Sequence, residues 1–67
     1  MTSLQMKLVE KEMNRIIRRC LWMPSGDPGP SLLRRATAAY LVLVDMGLKI
    51  DVEDEVVFCL KESKFLK

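Results

Sequence analysis

The sequence predicts an all-α fold: a small three-helix domain, made of a helical hairpin plus a third helix and packed as a dimer. Three observations carry that expectation. Apolar residues recur at helical spacing in three stretches, a proline- and glycine-rich break separates the first two, and the second stretch is apolar on nearly every side. With 67 residues, the chain has room for one domain spanning residues 1–67 and for one core, which at this size supplies only about 3 to 5 kcal/mol. Small domains offset that shortfall with disulfides, a metal or a second subunit.

The first helix is expected over about residues 3–22. Thr2 followed by Gln5 fits a capping box, in which each side chain bonds the other's backbone amide. Met6, Val9, Met13, Ile16 or Ile17, and Cys20 recur at spacings of three and four, with Leu4, Leu8 and Leu21 widening the apolar face. Lys7, Glu10, Lys11, Arg15 and Arg18 fall mostly elsewhere, and Glu10, Lys11 and Glu12 read as ordinary surface.

Residues of about 23–30 form the loop, because Pro24, Pro28 and Pro30 remove backbone donors while Gly26 and Gly29 add freedom. Asp27-Pro28-Gly29 reads as a turn, so the chain folds back into an antiparallel hairpin. The second helix opens at Ser31, or with Pro30 as its first residue, and runs over about 31–46 to a left-handed cap at Gly47, with Leu48 or Ile50 in the accompanying apolar contact. Between Ala36 and Val44 only Thr37 is polar. Two neighbouring helices cover only part of such a cylinder, so Ala39, Tyr40, Leu41 and Leu43 are expected in the core or between subunits.

Asp51 is expected to cap a third helix over about 51–66, with Glu53, Asp54 and Glu55 in its first turn and Lys61, Lys64 and Lys67 toward its end, matching the helix dipole. Val52, Val56, Cys59 or Leu60, and Ser63 or Leu66 form its inner stripe. The alternative for 48–58 is a β-hairpin, with Leu48, Ile50 and Val52 alternating and Val56-Val57-Phe58 returning.

Chemistry-bearing residues are few. There is no histidine, so the usual general base is missing, and Cys20 and Cys59 read as buried thiols without the partners a metal would want. No phosphate loop, dinucleotide fingerprint, nucleophile elbow or metal motif occurs, and the expectation is a protein that is not an enzyme and needs no cofactor or metal. No run approaches the roughly 20 apolar residues of a membrane helix, and the first residues lack the pattern of a signal peptide, so a cytoplasmic protein away from the membrane is expected.

The net charge of +2 is unevenly spread. Arg15, Arg18 and Arg19 end the first helix and Arg34 and Arg35 begin the second, so the hairpin gathers five arginines at one end, beside Trp22 and Met23. This end suits an anionic or protein partner, since the guanidinium fork matches carboxylate and phosphate and an exposed tryptophan anchors interfaces. Arg34 and Arg35 oppose the dipole of their own helix, which implies an anionic group near them. The acidic start of the third helix is expected at the opposite end of the bundle, out of reach within one subunit but available to a second copy.

The function expected from these features is a small protein-protein interaction module, an adaptor, chaperone, subunit or regulator that forms a homo-oligomer and engages another protein. The second reading is an RNA- or DNA-binding accessory protein using the arginines on the phosphate backbone, and the third a non-catalytic subunit of an enzyme. A helix-turn-helix is excluded by charge, since its recognition helix would open with Asp51, Glu53, Asp54 and Glu55.

Overall fold

The computed structural model describes residues 2–21, 29–63 and 65, and among them the architecture is three helices without a strand. Helix α1 spans Ser3–Cys20, α2 Gly29–Met46 and α3 Asp54–Lys61. The all-α, three-helix domain expected from the sequence is what the chain forms.

The start of α1 follows from the capping box. Gln5 N–H donates to Thr2 Oγ1 at 3.2 Å while Thr2 N–H donates to Gln5 Oε1 at 2.8 Å, satisfying two amides that a helix start leaves without partners. The helix ends at Cys20, with Leu21 as its C-cap donating to Ile17 O. Trp22 and residues 23–28, the expected loop with Met23, lie outside the described residues. Helix α2 starts at Gly29, one residue before Pro30, which the sequence offers with Ser31 as the opening of the helix and which falls in its first turn, where a missing N–H costs nothing.

At the other end of α2, Gly47 takes φ of 67°. Leu48 N–H then reaches Leu43 O at 2.9 Å and Gly47 N–H reaches Val44 O at 3.1 Å, the paired bonds of a Schellman cap. Leu48 turns back onto the core, the contact expected of it.

Helices α1 and α2 pack along one another as an antiparallel hairpin, which fixes the core. Ile17, Cys20 and Leu21 from α1 meet Ala36, Ala39, Tyr40 and Leu43 from α2. Small alanines on α2 let the two backbones approach, and Val56 and Leu60 of α3 close the third side. Thr37, the one polar residue in the apolar run, is buried without cost: its hydroxyl donates to Leu33 O at 2.8 Å and bonds Ser63 Oγ at 3.0 Å. That bond ties the end of α3 to the first half of α2.

The third helix departs from expectation. It starts at Asp54 and not Asp51, Glu53 occupies the N-cap position without a side-chain cap bond, and the helix stops at Lys61 with Glu62 as C-cap. Residues 48–53 are not helical. The reason lies in α1, which takes both the amide and the side chain of Asp51 for itself and leaves neither to cap a helix. The alternation of Leu48, Ile50 and Val52, all packed against the core, is that of an extended segment. The first half of the β-hairpin alternative therefore has the right local form, while its second half, Val56 to Phe58, is helix.

Two packing expectations are corrected. Leu4 and Leu8 do not widen the core face of α1: they are 68% and 55% exposed. At about 100° per residue both fall on the side of α1 away from Ile17 and Cys20. Cys59 is only half-buried, unlike Cys20, because α3 turns just Val56 and Leu60 fully inward.

Candidate functional site

The polar residues divide into a set that holds the chain together and a set that faces outward. The first set is centred on Asn14, which is 3% exposed on the inner face of α1. Its amide nitrogen donates to Glu10 O at 2.8 Å and to Lys49 O at 2.9 Å, and its oxygen accepts from Asp51 N–H at 2.6 Å. Glu10 adds an acceptor for Lys49 N–H at 3.0 Å. Side chains of α1 thus supply, for the amides and carbonyls of Lys49 and Asp51, the bonds that a neighbouring strand would give the extended segment. Glu10 is accordingly part of this bracket and not ordinary surface.

Arg18 completes the bracket. Its guanidinium donates to Asp51 O at 2.6 and 3.1 Å and meets Asp51 Oδ2 at 2.8 Å. This overturns the expectation that acidic and arginine ends stay apart within one subunit. An extended segment rises about 3.3 Å per residue, so 48–53 carries the acids back along α1 toward the arginines. Both side chains of the ion pair are more than half exposed, which limits its direct contribution to under about 1 kcal/mol. The two bonds to the backbone carbonyl position the segment more than the charge does.

The remaining arginines have separate uses. Arg15 pairs loosely with Glu12, 3.5 Å away in the same helix. Arg34 lies over the ring of Phe65, 5.1 Å from its centroid, a cation-π contact that gives it an aromatic face where an anion was expected. Arg19 and Arg35 are exposed and have no partner among the described residues. The five arginines do sit toward one end of the hairpin, yet three are engaged by the chain itself. Trp22 and Met23, expected beside them, lie outside the described residues.

Of the apolar candidates on α2, Ala39, Tyr40 and Leu43 are consumed by the single chain's own core and Leu41 is half-buried. The apolar residues left outward on α2 are Leu32, Ala38, Leu41, Val42 and Val44, of which Val44 is 50% exposed. Stronger apolar exposure lies on the other two helices: Leu4 and Leu8 on α1, and Phe58, 67% exposed, on α3.

Those side chains stand in opposite electrostatic settings. Leu4, Leu8, Lys11, Arg15 and Arg19 fall within about 80° of arc on α1, with Lys7 at its edge, a basic face bearing two leucines. Phe58 lines a shallow, open groove between α2 and α3 together with Leu33, Cys59 and the acids Asp54, Glu55 and Glu62. Asp54 and Glu55 suit the start of α3, but Glu62 stands at its C-cap, where negative charge opposes the dipole. The helix itself gives no reason for an acid there.

Neither Asn14 nor this pair of faces is marked by a local sequence motif. The signal for Asn14 is a polar residue beside the helical arc of Ile17 and Leu21, about 20° beyond Leu21, and a polar residue at the edge of an inner face calls for a partner. Among the described residues no group of histidine, cysteine or acidic side chains is arranged to hold a metal ion, and no helix is long and apolar enough to cross a membrane. Compared with known proteins, the chain matches no family model, no curated protein and no solved structure.

Proposed function

We propose that this protein is a small helical protein-protein interaction module, without catalysis of its own, that acts as a self-associated adaptor, subunit or regulator. The observation that carries this reading is the placement of large apolar side chains: with so small a core, the chain still leaves Leu4, Leu8 and Phe58 more than half exposed. Burying a side chain of this size is worth about 1.5 to 3 kcal/mol, comparable for two or three of them to the whole stability of such a domain. A second subunit recovers that free energy. The free thiols Cys20 and Cys59 fit a reducing compartment, and the cytoplasm is the location proposed.

Nucleic-acid binding is the lesser reading, because Arg15, Arg18 and Arg34 already have partners in their own chain. The test is the variant Leu4→Ser/Leu8→Ser/Phe58→Ser. It is expected to keep the wild-type helical circular dichroism at low temperature, since none of the three supports the core, while its mass by light scattering falls to that of one chain and its melting temperature drops with the loss of the second subunit. Unchanged association of this variant would remove the observation on which the proposal stands.

A further inference from the structure

The interaction reading leaves open which surfaces meet, and the charges on the outer faces of α1 and α3 answer that. Among the described residues, the groove between α2 and α3 is lined by three acids and no base, with Phe58 and Leu33 as its apolar content. A groove of this kind suits an amphipathic helix carrying apolar side chains at i, i+4 flanked by cations. The chain itself carries that helix: Leu4 and Leu8 are spaced four apart on the exposed side of α1, with Lys7 and Lys11 beside them.

We propose that the occupant of the groove is the outer face of α1 from a second copy of this chain, each copy offering its helix to the other's groove in a reciprocal dimer. Lengths agree with this. Leu4 to Lys11 and Glu55 to Glu62 each cover eight residues, seven steps of about 1.5 Å or about 10 Å. Run antiparallel, the two strips place Phe58 against Leu4 and Leu8, Glu55 opposite Lys11, and Glu62 near Lys7. The cation it meets there accounts for an acid at the C-cap of α3. In a two-fold pair every such contact is made twice, so a modest strip on each copy suffices.

The inference rests on self-association, and a charge-reversal cycle separates the two. Lys7→Glu/Lys11→Glu reverses the helix face and Glu55→Lys/Glu62→Lys reverses the groove. None of these side chains makes a hydrogen bond or ion pair among the described residues and all four are exposed, so both variants should fold, which circular dichroism checks. Each alone is expected to weaken association by about tenfold or more at low salt, as like charges are brought together. Mixed in equal amounts, they are expected to recover association to within about threefold of wild type, because each now complements the other at both contacts. Wild-type association by either variant alone, or a mixture no stronger than its parts, would overturn the proposed pairing while leaving self-association standing. A wild type that stays monomeric under the same conditions would end both.

Discussion

Replacing Leu43 by glutamate is expected to leave the chain unfolded in ordinary buffer, with loss of the helical circular dichroism signal at all temperatures. Leu43 is fully buried where α1, α2 and α3 meet, and it also supplies the carbonyl that accepts Leu48 N–H in the cap ending α2. Removing a buried leucine side chain alone costs about 2 to 5 kcal/mol, and a carboxylate without partners costs more. A core that supplies about 3 to 5 kcal/mol cannot absorb that loss. The neighbouring change Leu41→Glu is the control: Leu41 is half-exposed on the outer strip of α2, so this variant is expected to fold and to keep the mass of the wild type. Should Leu43→Glu remain helical, the assignment of Leu43 to the single chain's core would be wrong.

Replacing Asn14 by leucine is expected to lower stability by about 2 to 3 kcal/mol, although the apolar side chain fits the same space. Three hydrogen bonds at roughly 1 kcal/mol each disappear, and Lys49 O and Asp51 N–H lose their Asn14 partner. The loss should be local first. Segment 48–53 is held to α1 chiefly by Asn14, Glu10 and Arg18, so hydrogen exchange at the Asp51 and Lys49 amides should accelerate more than at α2 amides such as that of Leu43. A urea midpoint unchanged within error would show that the bracket contributes no net stability.

The elements that were legible in the sequence are those set by local rules. Thr2 and Gln5 fix the start of α1 by a bond pair three residues apart, and Gly47 ends α2 because the left-handed cap there favours a residue without Cβ. What the sequence hid depends on contacts between distant residues. Asp51 looks like a helix cap because an acid followed by acids and an apolar stripe is a good one. Only the bonds from Asn14 and Arg18, 37 and 33 positions earlier, show why it is not. Leu4 and Leu8 were assigned to the core for a related reason. Spacing of three and four admits a wide arc, and which edge of it is covered depends on where α2 crosses. The apolar run of α2 looks too large for one chain to cover, and Ala38, Leu41, Val42 and Val44 do remain on its outside, but Ala36, Thr37, Ala39, Tyr40 and Leu43 are buried within the single chain.

For the site, the sequence located the charges and not their uses. The arginine cluster is at one end of the hairpin as its topology requires. The extended course of 48–53, which no local signal announces, gives Arg18 to Asp51, so its guanidinium is already engaged within the chain although it stays more than half exposed. The same course sets α3 beside the first half of α2, where Thr37 meets Ser63 and the acid-lined groove forms.

The central claim is that this chain works as an assembly with itself, and its solution mass tests that most directly. Light scattering on the pure protein, over a range of concentration at low and at high salt, is expected to give the mass of two chains at micromolar concentration. The dimer should weaken as salt screens the contacts between basic and acidic faces. A mass of one 7.7 kDa chain at every concentration and salt would contradict the claim, and the exposed Leu4, Leu8 and Phe58 would then need a different partner.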